Sequence, residues 1–326
     1  MITSISPTAL KMYEKNPFEF YVRYISPVKL PKEIQGRPAA AGSSFDSFVK
    51  YALACHFDLA VHRDHAELFS KQVDVLHREW AYVHGLYIFK AYLNSGAFAD
   101  LITRIGAAPR MEFRVDGVIN GIPMNGRPDL YFRTNIGTAN EMDVILDWKL
   151  NGYCSRSPIS PSPGFVVSRD GWKSGDRKQS KLHGLMHPDC KLTAYKGITV
   201  NGDSEALNKD WREQQIIYGW LLGEPIGKEF IVGIDQICSM ADFPSGDDPH
   251  QVDCYPSLRI ASHRSVATTA HQMDLYERLE RMWADVSVGC PGLVSQYASQ
   301  VGGLKSDGTP EGDWFQSVCR PQDKWW

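Results

Sequence analysis

Two acids and a lysine stand in segments otherwise rich in core-type side chains. Pro128-Asp129 lies in "RPDLYF", and 17 residues separate Asp129 from Asp147-Trp148-Lys149 in "DVILDWKL". Alternate side chains of a strand face opposite ways. Val144, Leu146, Trp148 and Leu150 therefore share one wholly apolar face, while Asp147 and Lys149 share the other. A neighbouring strand carrying Asp129 would let two carboxylates and an ammonium converge. Two close carboxylates raise each other's pKa unless a cation sits between them. Oxygen ligands in small number, with positions left for water, suit Mg2+ or Mn2+. Such an ion polarises a phosphoryl oxygen and acidifies bound water. A lysine beside it can orient or deprotonate that water, or offset charge growing on a phosphate. These are the parts that phosphodiester hydrolysis requires.

Holding those groups needs a small sheet, and the periodicity predicts one between helices. "SISPTALKMYEKNPFEFYVRYI" reads as a short helix broken at Asn16-Pro17, then a second aromatic-rich helical turn. "AAAGSSFDSFVKYALACHF" spaces Phe45, Phe48, Val49 and Ala52 helically behind Gly42 and two candidate serine caps. A long helical pattern follows from about Ala66 to Ile102. "RMEFRVDGVINGIPMNGRPDLYF" predicts short strands turning at Asp116-Gly117, Asn120-Gly121 and Asn125-Gly126. "DVILDWKL", "EFIVGIDQICSM" and "PSLRIASHR" predict further strands. "WREQQIIYGWLLG" and "TAHQMDLYERLERMWADV" predict helices, and the tail to Trp326 reads as irregular.

The expected fold is one α/β (α+β) domain. Its parts are a helical stretch 1–105, a core of 106–150 and 209–262, an insertion 151–208, and a C-terminal helix and tail 263–326. With 326 residues, 43% of them hydrophobic, the chain can bury a sizeable core. A formal net charge of -3 gives no whole-chain attraction to nucleic acid, so any basic surface must be local. No apolar run is long enough to cross a bilayer, and the first residues lack a basic start followed by an apolar block. Seven scattered cysteines without a CxxC pair predict reduced thiols in a cytoplasmic protein.

The quoted motifs resemble those of the PD-(D/E)XK nuclease superfamily. Gln214 and Tyr218 in "EQQIIYG" match the QxxxY helix of its RecB-like branch, which includes phage and CRISPR-associated exonucleases. Gly42 and Asp46 stand where that branch has a G-x-x-x-H helix, and the N-terminal segment is similar as well. The likeness runs in order from about residue 4 to 222, and more faintly to about 290.

It implies a restriction-endonuclease-like core and a stand-alone DNA nuclease, an exonuclease in replication, recombination, repair or phage DNA processing. Asp46, Asp129 and Asp147, with the Trp148 carbonyl, would hold one or two Mg2+ or Mn2+ ions. Lys149 would be the catalytic lysine, and Gln214 and Tyr218 would support the site and the DNA strand. Asp46 departs from the usual histidine. Asn16 stands where some relatives have a cluster-binding cysteine, so no iron–sulfur cluster is expected. An endonuclease of the same fold, or a non-catalytic DNA-binding or assembly subunit, would share these motifs.

The insertion adds its own chemistry. Residues 151–200 carry eight basic residues, among them Arg156, Arg177 and Lys178, against three acids. Tyr153, Phe165, Trp172 and Tyr195 are interspersed, a mixture suited to phosphates and unpaired bases. His183, His187 and Cys190 could ligate zinc, and Glu112 could join the acids. No G-x-x-x-x-G-K segment occurs, so a helicase or recombination protein would be a separate partner. No membrane partner is expected.

Overall fold

A computed structural model describes residues 2–26, 34–107, 109–111, 113–156, 193–195, 198–201, 208–239, 248–256 and 258–301. The first helices are α1 (Pro7–Lys15), capped by the Ser6 hydroxyl, and α2 (Pro17–Phe20), capped by Asn16. Asn16 Oδ1 accepts from the Glu19 amide at 3.2 Å, so this residue ends one helix and starts the next. Helix α3 (Arg37–His56) begins behind Gly36, with Pro38 in its first turn. Gly42, Ser43 and Ser44 are therefore interior residues and not caps, and Asp46 sits mid-helix, away from the dipole of the first turn.

The long helical region is divided into α4 (His65–Gln72), α5 (Arg78–Ser95) and α6 (Ala97–Arg104). Asp64 caps α4, and Gly96, with φ 91°, separates α5 from α6. Strands β1 (Arg110–Met111), β2 (Val115–Ile119), β3 (Ile122–Gly126), β4 (Leu130–Thr134) and β5 (Met142–Asn151) follow. Of the three predicted turns in that region, the one at Asn120-Gly121 joins β2 to β3. Both residues have positive φ, 45° and 86°, as a tight primed turn requires. Asp116-Gly117 and Asn125-Gly126 lie inside the ribbon's strands.

The remaining strands are β6 (Thr193–Ala194), β7 (Ile198–Asn201), β8 (Phe230–Ser239) and β9 (Leu258–Ala267). The remaining helices among the described residues are α7 (Lys209–Leu221), α8 (Thr269–Ser287) and α9 (Pro291–Val301). The tail is thus helical through Val301. Within 151–208, the short strands β6 and β7 lie in succession along the outer edge of β9. That part of the insertion completes the sheet.

Among the described residues one mixed seven-stranded sheet results, in the order β1-β4-β5-β8-β9-β6, with β7 also on β9. The β4–β5 and β8–β9 pairs are antiparallel, and β5–β8 is parallel. Helices cover both faces, giving a three-layered α/β architecture. One core joins Val144, Leu146 and Trp148 to Phe45, Val49 and Leu53 of α3 and to Tyr87, Ile88 and Tyr92 of α5. The other joins Ile145, Val232 and Ile234 to Leu10, Ile217, Tyr218 and Leu279. The N-terminal segment is clipped to the β2–β3 ribbon: Ile5 donates to the Pro123 carbonyl and accepts from the Asn125 amide, both at 2.9 Å. No helix among the described residues is long and apolar enough to cross a membrane.

Candidate active site

Antiparallel register brings the two acids together. Leu130 pairs with Leu146, so continuing the ladder by one residue sets Asp129 across from Asp147. The Trp148 amide donates to Asp129 Oδ2 at 3.2 Å. Lys149 Nζ forms an ion pair with Asp147 Oδ2. Asp147 and Lys149 face the layer that holds Ile145, and α7 delivers Tyr218 into that same layer. Gln214, one turn before Tyr218, donates its amide to the phenolic oxygen at 2.8 Å. Five of the residues singled out by motif, Asp129, Asp147, Lys149, Gln214 and Tyr218, thus share one place.

The electrostatics follow from burial and neighbouring charge. Burial raises the Asp147 carboxyl well above the usual carboxylate range, the charge of Asp129 adds to this, and Lys149 opposes it. Burial also disfavours ionised Asp129, but Lys50, a hydrogen bond with Asp147, Lys149 and the Trp148 amide together hold its pKa low. The two carboxyls are thereby driven apart, Asp147 upward and Asp129 downward. Burial acts against the Lys149 charge, yet Asp147 and Asp129 outweigh it and raise the ammonium's pKa. The Tyr218 phenol is raised by burial and, more weakly, by both acids.

Lys50 escaped the sequence reading. Its side chain is 1% exposed; its ammonium pairs with Asp46 Oδ2 and lies 3.8 Å from Asp129 Oδ1. Asp46 therefore joins the cluster through this lysine. Among the described residues, no group of three or more His, Cys, Asp and Glu side chains is gathered as for a metal ion. The signal available in sequence was the spacing of Asp46 and Lys50, four apart on a helix whose neighbours Phe45, Phe48 and Val49 are apolar. Such spacing usually marks a solvated pair.

A second buried network fixes Trp148 from the opposite face of the sheet. Its indole donates to the Tyr92 hydroxyl at 3.5 Å, and Tyr92 hydrogen-bonds Asp235 Oδ2. Arg264 Nη1 donates to Asp235 Oδ1 at 2.9 Å. Gly233 makes room for that arginine, because a Cβ there would lie 2.5 Å from Arg264 Cδ.

Beside Tyr218 runs an open groove of about 360 Å³, lined by Ser6, Thr8, Arg114, Asn125, Arg127 and Tyr218. Gly126 forms part of its wall and touches the tyrosine: a Cβ there would come within 2.5 Å of the ring. Close approach to Tyr218, and not a turn, is what requires glycine at this position. Arg156 is exposed beyond the end of β5. Arg177, Lys178, His183, His187, Cys190 and Glu112 lie outside the described residues.

No family model matches the chain, and no curated protein matches it. A solved structure described as "Crystal structure of SSO0001" aligns over 84% of both chains, at 11% identity and a TM-score of 0.24. A likeness that slight carries no argument about fold or function.

Proposed function

We propose that the chain is a metal-dependent DNA nuclease of the PD-(D/E)XK type, RecB-like branch, acting as an exonuclease. The observation that carries this reading is the register setting Asp129 across from Asp147, with the Lys149 ammonium on Asp147. Tyr218 and Gln214 reach the same place from α7. A restriction-endonuclease-like core is supported by the parallel β5–β8 step, with α7 between those strands in sequence.

The donor set fits Mg2+ or Mn2+. Asp129 and Asp147 offer hard oxygens, and Asp147 Oδ2 is buried against the Lys149 ammonium. By the resemblance, the Trp148 carbonyl is a third donor. A bound ion would supply charge neutralisation at the phosphoryl oxygen and an acidified water.

The chain's own groups do the rest. Asp129 is held in one orientation by the Trp148 amide. Lys149, its ammonium favoured by the neighbouring acids, orients the attacking water and offsets charge growing on the phosphate oxygens. Attack at phosphorus with departure of the 3′ oxygen leaves 5′-phosphate ends. Tyr218 accepts from Gln214, leaving its phenolic proton for a phosphate oxygen of the strand. The adjoining groove, with Arg114 and Arg127 on its walls, is the path for that strand.

Incubation with linear and closed-circular DNA, with Mn2+ and with chelator, tests the reading. Metal-dependent loss of linear DNA alone supports the exonuclease, and cutting of the circle supports an endonuclease of the same chemistry. No cleavage of either substrate leaves only a DNA-binding role for the fold.

A further inference from the structure

We propose that Lys50 is a positioning residue that serves as the second cation of the acid cluster. On this assignment the site takes a single divalent ion at Asp129 and Asp147, and Asp46 is a partner of Lys50 and not a ligand of the ion. The inference rests on the proposed nuclease function and goes further, to how many ions the site takes and which acid does not bind one.

The geometry of Lys50 carries the proposal. It lies on α3 among Phe45, Val49 and Leu53, all packed into the core, and its side chain is almost wholly withdrawn from water. An ammonium in such a place is strongly unfavourable unless carboxylates surround it, and an apolar residue of similar size would pack there at less cost. What the lysine adds is control of the acids. It engages Asp46 through Oδ2 and faces Asp129 through Oδ1, while the Trp148 amide holds Asp129 Oδ2. Both Asp129 oxygens are thereby fixed in direction.

Charge sets the count. Formally, Asp46, Asp129 and Asp147 carry three negative charges, and Lys50 and Lys149 two positive, leaving −3 + 2 = −1. One divalent ion takes the cluster to +1 and a second takes it to +3, with the second ion placed against a buried ammonium. Without Lys50 the same counts are 0 and +2. Lys50, itself almost wholly withdrawn from water, therefore opposes the second ion by like-charge repulsion.

Mn2+ binding to the full chain, counted by electron paramagnetic resonance and calorimetry, tests this in wild type, Lys50→Met and Asp46→Asn. Wild type is expected to bind one Mn2+. Lys50→Met, which keeps the side-chain volume and removes the charge, is expected to bind two, with a spectrum broadened by their coupling. Asp46→Asn should still bind one, weakened about 10-fold as for a group acting behind the ligands. Two ions in wild type, loss of binding in Asp46→Asn, or a count of one in folded Lys50→Met would each overturn the assignment. If Lys50→Met does not fold, the wild-type count and Asp46→Asn decide between the same outcomes. Absence of Mn2+ binding in every protein removes the metal-dependent reading itself and this inference with it, a result distinct from any wrong count.

Discussion

Replacing Lys149 by alanine removes the ammonium paired with Asp147 at the point where phosphate charge would develop. Cleavage is expected to fall by at least ~10²-fold in a nuclease assay, with the chain still folded by circular dichroism. Asp147 makes a prediction for stability as well. Its folded pKa lies above the ordinary carboxylate value, so its contribution is intact at low pH and is lost as pH rises past that value. Asp147→Asn is neutral at every pH. In chelator it should be more stable than wild type near pH 7, by urea melts, while cleavage is abolished.

His84 gives the opposite slope. Its Nε2 faces the Gln251 carbonyl at 3.1 Å and so carries the proton, and Nδ1 accepts from the Tyr153 hydroxyl at 2.7 Å. Burial pushes its pKa down to about 4, so stability is full above the unfolded value and is lost as pH falls toward the folded one. Roughly 3 kcal/mol should disappear between about pH 6.5 and 4. The pH dependence of unfolding should flatten in His84→Gln relative to wild type, and an unchanged slope would refute the assignment.

The elements meet at glycines chosen for contact. Gly85 lets α5 cross α3 closely: an added Cβ would lie 2.1 Å from Ser44 Oγ and 2.9 Å from the Phe45 amide. Alanine in an exposed helix interior would gain about 1 kcal/mol over glycine. Here overpacking outweighs that gain, and Gly85→Ala should destabilise by roughly 1–3 kcal/mol in denaturant melts. Because α3 carries Asp46 and Lys50, cleavage should fall with it. At the level of elements, the strand "DVILDWKL" and the helix "WREQQIIYGWLLG" were legible because period and length are local properties. The interior position of Asp46 was not, because Pro38 behind Gly36 starts α3 earlier than the serines suggest.

For the whole molecule, ion binding is linked to folding. Anything that binds only the folded chain stabilises it, by ~2.7 kcal/mol at a hundred times its dissociation constant. Mn2+ should therefore raise the thermal midpoint of wild type, and chelator should reverse the gain. The gain should be absent in Asp129→Ala. An equal rise in that variant would place the ion elsewhere. The mixed sheet covered by helices on both faces agrees with the fold class read from the sequence. The basic insertion is in part sheet edge, since β6 and β7 pair with β9. Pairing over more than fifty residues of separation leaves no local pattern to read.

By itself the sequence determined which residues could do chemistry and on which face of their own strand each would stand, because alternation along a strand needs only one segment. It also determined that Gln214 and Tyr218 share a helical turn. The tertiary structure decided what lies across from what: Asp129 opposite Asp147, Tyr218 against Gly126, and Lys50 between Asp46 and Asp129. Register and layer packing are relations between distant segments, and a buried ammonium is recognisable only once the walls that exclude water from it are in place.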